Sequence, residues 1–223
     1  MLGETLRRAV RPESPPRRLL PRYRRAAAVL LAACAAAAVG LAVYLAASSR
    51  PAWPDPSLDP RIQTAMGHFP ALLQWLPNIG TLGPVTLMTL ALIAACAATR
   101  NWPGAVLAGV AEPVAVGLTE YVLKPYVGGA LGQGFPSGHA TSMFALAAIC
   151  AVLLAASAHP GRALSAVLIL LALLLAAAVA AAMVAVRAHT FTDVVGGAAV
   201  GTGVVLACAL TLDRVIGQAY RRL

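Results

Sequence analysis

Residues 163–186 read ALSAVLILLALLLAAAVAAAMVAV, with Ser165 the one polar side chain in the run. A helix needs about 20 apolar residues to cross the hydrocarbon core of a bilayer, so this stretch predicts a membrane span. Working outward, Pro136-Ser137-Gly138-His139 opens the apolar stretch before it, and His189-Thr190-Phe191-Thr192-Asp193 opens the one after it. Two spans therefore separate the two histidines. A chain that crosses twice returns to the face it left, so His139 and His189 are expected on the same side. Lys124, the only lysine in the protein, precedes the first motif with no span between them.

The whole chain repeats the pattern. It has 223 residues, 60% hydrophobic and 11% charged, a balance that excludes an ordinary soluble domain and indicates a polytopic membrane protein. Six stretches are long and apolar enough: Ala26–Ala47, Thr81–Ala98, Ala105–Leu123, Ala140–Ala158, Ala163–Val186 and Val194–Leu212. The second is the shortest of them and follows proline-rich sequence. Lipid cannot hydrogen-bond an open backbone, and the runs lack the alternating polarity of a barrel strand. The expected fold is all-α, an integral membrane bundle of six transmembrane helices. The first stretch exceeds a signal-peptide core of roughly 7–15 residues, which favours a retained anchor over a cleaved leader.

The net charge of +9 is not read as a nucleic-acid footprint, because its distribution follows the spans. Arg7, Arg8, Arg11, Arg17, Arg18, Arg22, Arg24 and Arg25 precede the first span, and Arg100, Arg162, Arg214, Arg221 and Arg222 fall on the same side. Arg50, Arg61, Lys124 and Arg187 fall on the other. This is the positive-inside asymmetry: it puts both termini in the cytoplasm, the motifs at the outer face, and the protein in the plasma membrane. Residues 1–25 read as a basic, disordered tail, 26–212 as the membrane domain with its core at 81–212, and 213–223 as a second cytoplasmic tail. Residues 48–80 read as a long outer loop with six prolines, and His68 in it is given no role. Trp53, Trp75 and Trp102 suit the headgroup level. Cys34, Cys96, Cys150 and Cys208 lie inside spans and read as packing residues.

The polar residues form one constellation. His139 falls in the first turn of a helix, where backbone N–H groups attract anions. Ser137 adds a hydroxyl donor, and Gly138 lets a phosphate approach the backbone. Gly128, Gly129, Gly132 and Gly134 precede this motif. His189 and Asp193 are four apart at the next helix start, hence on one face. The carboxylate can hold one imidazole nitrogen and leave the other as base or nucleophile. Lys124 and Arg187 supply positive charge where it is otherwise scarce, which suits phosphate. Glu120 can pair with Lys124 one turn on; Glu112, inside the third span, has no role assigned by sequence. Gly197 and Gly201 match a small-xxx-small helix contact that packs the bundle. Nothing in the sequence sets an oligomeric state.

These residues resemble the type-2 phosphatidic acid phosphatase family, whose relatives include polyprenyl-diphosphate phosphatases. Its pattern has a lysine with Arg-Pro seven residues on, then Pro-Ser-Gly-His, then Ser-Arg followed by His and Asp. The second motif matches fully at 136–139, the third at His189 and Asp193, and the first at Lys124. The chain departs from the pattern where Leu131-Gly132 and Ala182-Met183 stand in place of the two arginine dipeptides. Arg187, on the same face and close to His189, is the candidate replacement for one of those arginines. The resemblance implies a membrane lipid phosphatase acting through a phosphohistidine on His189, oriented by Asp193. His139 would protonate the leaving group, and Lys124, Ser137, Gly138 and Arg187 would hold the phosphate. It implies no cofactor and no metal. The expected partners are the bilayer and a lipid phosphate or diphosphate substrate, with no nucleic acid. The two departures leave a second reading open, a lipid-phosphate-binding membrane protein with weakened turnover.

Overall fold

The computed structural model describes residues 18–47, 53–128, 134–157 and 161–222. The helices in chain order are α1 (Arg24–Ala47), α2 (Asp55–Gly67), α3 (Pro70–Ile79), α4 (Leu82–Ala98), α5 (Trp102–Gly117), a π-helical continuation of α5 over Leu118–Gly128, α6 (Gly138–Ala156), α7 (Arg162–Ala185) and α8 (Phe191–Arg222). No strand occurs among the described residues. Five segments are long and apolar enough to cross a membrane: α1, α5 with its π continuation, α6, α7 and α8. The sixth is the pair α3–α4, bent by 62° at its break, when taken as one span. The protein is an all-α, multi-pass membrane protein.

Two of the expected boundaries move. The outer loop holds helices α2 and α3, with a proline in the first turn of each and Pro60 and Pro77 accommodated within them. Pro56 and Pro70 lie at the first positions of α2 and α3, where a missing N–H costs nothing. The last helix runs on past Leu212 to Arg222. Its extension has a purpose in packing: Asp213 accepts the Leu19 N–H at 2.7 Å and the Leu20 N–H at 2.8 Å. Both leucines are buried, so the end of the basic tail is pinned to α8. Of residues 1–25, expected to be disordered, the stretch 18–25 is instead folded against the bundle and runs into α1, while residues 1–17 lie outside the described residues, as does Arg50.

The centre of the bundle is the pair α6 and α8. They run parallel with their starts together: the Ser137 N–H donates to the Asp193 carbonyl at 3.0 Å, and the register continues from Gly197 beside Ser137 to Gly201 beside Thr141 and Ala145. A Cβ at Gly201 would collide with the Thr141 carbonyl oxygen, so these glycines bring backbone against backbone. Helix α1 packs on the same helix, with Cys34 and Leu31 over Gly203. Its outer side leaves Val29, Leu30, Val39 and Val43 exposed, and α7 does the same with Leu164, Leu170, Leu171 and Leu174. A bilayer accepts such faces, which water would not. Buried polar groups are paired across helices: Thr119 with Thr141 at 3.1 Å and Glu112 with Ser142, the partner that the sequence did not reveal for Glu112. All four cysteines are free thiols.

Candidate active site

The two histidine motifs stand where α6 and α8 begin. Ser137 caps α6: its side chain accepts the Ala140 N–H at 3.4 Å, and its carbonyl accepts the Thr141 N–H and O–H, both at 2.9 Å. Ser137 is fully buried, so its placement is that of a helix cap, not of a donor open to solvent. His139, in the following turn, packs its ring against the bend between α3 and α4. A Cβ at Gly80 would lie 2.8 Å from His139 Cδ2 and 3.0 Å from Val179, so glycine at the bend makes the room this imidazole occupies.

The second motif sits on a tightly determined turn. Met183 O, in the last turn of α7, accepts the N–H groups of Ala188 at 3.0 Å and His189 at 3.2 Å. Arg187 pays for this turn with φ of 61°, a left-handed conformation that a side chain disfavours. Thr190 then caps α8 reciprocally: Asp193 Oδ2 accepts the Thr190 N–H at 3.1 Å, and Thr190 Oγ1 accepts the Asp193 N–H at 3.4 Å. This is a capping box with aspartate in the glutamate position. The Thr-x-x-Asp spacing of Thr190-Phe191-Thr192-Asp193 is its signature in the sequence.

The same Asp193 Oδ2 lies 3.5 Å from His189 Nδ1. That is ion-pair distance and long for a hydrogen bond, and both His189 Nδ1 and Asp193 Oδ1 are buried without a hydrogen-bond partner. Catalytic hydrogen bonds are often loose before substrate arrives. Asp193 is thus held by the helix start on one side and directed at the imidazole on the other. Gly134 abuts the ring from the opposite side, where a Cβ would lie 3.1 Å from Nδ1.

Lys124, in the π-helical segment, pairs with Glu120 at 2.6 Å. A Cβ on Gly138 would lie 3.4 Å from Lys124 Nζ and would clash with Glu120 Oε1. The ammonium therefore stands directly over the first turn of α6. A long π segment is rare, and such segments occur often at functional sites; Pro125 within it lacks the N–H that an α-helix would use. His139 is electrostatically coupled to His189, Lys124 and Glu120. The structure thus brings both histidines, Asp193, Lys124, Ser137 and Gly138 to one end of the bundle.

A cleft of about 420 Å³ opens there, lined by Asp59, Gln63, Gly134, Arg187, His189 and Asp193 among others. Arg187 faces this cleft with His189. The neighbouring position where the family pattern places an arginine, Met183, is 6% exposed and packed against Ala140, Ala180, Val184 and Val194, no place for a guanidinium. Leu131-Gly132 lies outside the described residues, as do Gly129 and the rest of that loop. Asp59 and Gln63, both on α2, are cleft residues that sequence reasoning missed. Burial raises the Asp59 carboxyl above its ordinary value; the Phe191 N–H pulls against that, and Asp55 and Asp193 add to the rise. Among the described residues no three His, Cys, Asp or Glu side chains are grouped to hold a metal ion.

Residues 116–216 match the PAP2 superfamily. The chain carries a PAP2 superfamily domain. The matched segment begins at the end of α5 and takes in every one of the site residues on the π segment, α6 and the α7–α8 turn. The match supports phosphatase activity on phosphate esters. No curated protein and no solved structure matched the chain.

Arg187 offers a test in which two measurements move in opposite directions. Arg187→Gly is expected to raise thermal stability by about 1 kcal/mol, since the left-handed residue no longer carries a Cβ. The same change is expected to raise KM for a phosphate ester roughly tenfold, one charge-assisted contact being worth about that much. Melting curves and steady-state kinetics on the same preparation check both.

Proposed function

We propose that this phosphatase dephosphorylates a membrane lipid phosphate or diphosphate at the outer face of the plasma membrane, with both termini in the cytoplasm. The observation that carries the reading is the meeting of His189, backed by Asp193, with His139 and Lys124 at one end of a membrane bundle. A substrate anchored by its tail in the bilayer presents its phosphate at such a site, and the exposed apolar helices beside it give the tail a path.

The chemistry proceeds in two transfers. His189 Nε2 attacks phosphorus while Asp193 holds Nδ1 and stabilises the charge that develops on the ring. The bond from phosphorus to the lipid oxygen breaks, and His139 gives that oxygen its proton. Water then attacks the phosphohistidine, the P–N bond breaks, and His139 takes the proton from water. Lys124, the Gly138 N–H that opens α6, and Arg187 hold the phosphate oxygens and stabilise the transition state. Substrates of the class are polyprenyl diphosphates, polyprenyl-linked phosphosugars and phosphatidyl phosphates.

The second reading, a lipid-phosphate binder with weak turnover, is favoured by Glu120. Its carboxylate occupies Lys124 at 2.6 Å beside Gly138, where a phosphate would otherwise bind. The purified full-length protein in detergent with EDTA is expected to release inorganic phosphate from lipid phosphates. Saturable binding without release across a panel of polyprenyl and diacylglycerol phosphates would establish the binder instead.

A further inference from the structure

The two phosphoryl transfers use nothing from α2, yet α2 sets two of the chain's eight carboxylates against the first turn of α8. Asp55 is 5% exposed. Its Oδ1 accepts the Thr192 N–H at 2.9 Å, and its Oδ2 accepts the Thr192 O–H at 2.7 Å. Asp59, one turn on and therefore on the same face of α2, accepts the Phe191 N–H at 2.9 Å and lines the cleft with Gln63.

A helix start ordinarily offers its free N–H groups to an anion, and two helix starts meet at this site. Those of α8 are all taken. Phe191 N–H goes to Asp59, Thr192 N–H to Asp55, Asp193 N–H to Thr190 Oγ1, and Val194 N–H to the Thr190 carbonyl at 3.2 Å. The carboxylates are also not grouped as metal ligands; Asp55 and Asp59 each point at an N–H of this turn. The result is a helix start that carries negative charge and offers no donor to phosphate, directly beside the imidazole that must meet phosphorus.

We propose that Asp55 and Asp59 are positioning residues of the phosphatase: the acidic face of α2 clamps the first turn of α8, keeps Asp193 aligned with His189, and closes that helix start to phosphate, so that the anion is directed to α6, Lys124 and Arg187. The proposal rests on His189 being the nucleophile. It predicts two effects together. Releasing the clamp lowers kcat, because a small displacement of a reacting group costs on the order of 10- to 100-fold. It also opens two N–H donors to unproductive anion binding, so inorganic phosphate inhibits more strongly.

The test uses the full chain in detergent with an aryl phosphate substrate and inorganic phosphate as inhibitor. Asp55→Ala is expected to lower kcat roughly 10- to 100-fold with little change in KM, and to make phosphate inhibit at a several-fold lower concentration. Thr192→Val alone removes the O–H contact and leaves the Thr192 N–H on Asp55, so it is expected to lower kcat less than Asp55→Ala does. A folded Asp55→Ala protein with near-normal kcat and unchanged phosphate inhibition overturns the clamp, as does a lower melting temperature unaccompanied by tighter phosphate inhibition. Should Asp55→Ala fail to fold, Thr192→Val and Asp59→Ala decide the matter: the first removes the O–H contact to Asp55, the second the acceptor of the Phe191 N–H, and normal kcat in both overturns the clamp. His189→Ala runs alongside. If it retains turnover, the nucleophile assignment fails and takes the clamp with it; if it is inactive while Asp55→Ala is normal, only the clamp fails.

Discussion

His189→Ala is expected to reduce turnover of any phosphate ester by roughly 10⁴-fold or more, the scale on which loss of a nucleophile acts, while the protein still elutes and melts as a folded species. The side chain is 11% exposed, so its removal leaves a small gap at the end of the bundle, but Nδ1 makes no hydrogen bond that the change would break. The variant should also fail to form any acid-labile phosphoenzyme when mixed briefly with radiolabelled substrate and quenched in base. His139→Ala separates the two imidazoles. With a lipid phosphate, whose alkoxide leaves poorly, it should cost about 10²- to 10⁴-fold as a lost general acid. With an aryl phosphate, whose leaving group needs no proton, His139→Ala should still form phosphoenzyme and be slowed in its hydrolysis. Equal losses on both substrates in the rate of phosphoenzyme formation would contradict the assignment of His139 as acid.

The second large effect is structural. Gly201→Val is expected to destabilise the protein by about 3 kcal/mol or more, at the upper end of overpacking costs. The new Cβ meets the Thr141 carbonyl oxygen, with Ala145 N at 3.0 Å and Thr141 C at 3.1 Å. All three are backbone atoms of α6, so no side-chain rotation relieves the clash. Gly203→Ala is the comparison, because there the Cβ meets Cys34 Cβ at 3.3 Å and Leu31 Cδ1 at 3.9 Å, and α1 can give slightly. Its cost should stay below about 1 kcal/mol. Since Thr141 lies two residues from His139 on α6, Gly201→Val should also lower kcat in whatever fraction folds, by parting α6 from α8. Thermal melts and kinetics of the two variants in one detergent test the difference; equal melting temperatures would show that the α6–α8 contact is not close.

The two histidines at one end of the bundle were legible because hydrophobic length is a local property. Each apolar run sets a crossing, and the count of crossings between His139 and His189 is arithmetic. The pairing of Glu120 with Lys124 and the proximity of His189 to Asp193 were equally local, both being four residues apart on a helical segment. What local spacing could not disclose is contact between residues far apart in the chain. Asp55 and Asp59 sit in a proline-rich stretch that reads as loop, and their partners lie 137 and 132 residues away. Gly80 is an ordinary turn residue until the His139 ring is placed against it. Glu112 reads as a costly charge in a span until Ser142 is brought beside it. Ser137 reads as a phosphate donor until its burial and its bond to the Ala140 N–H show it capping α6.

The sequence by itself determined a helical membrane bundle and the common end at which its two histidine motifs lie, since bilayer thickness and backbone hydrogen bonding leave an apolar run of about 20 residues one outcome, and two crossings return a chain to one face. Only the tertiary structure decided which helix starts meet and what fills them. Backbone contact at Gly197 and Gly201 sets α6 beside α8, and carboxylates from a distant helix saturate the second start. Such contacts depend on packing in three dimensions, to which no period or motif along the chain corresponds.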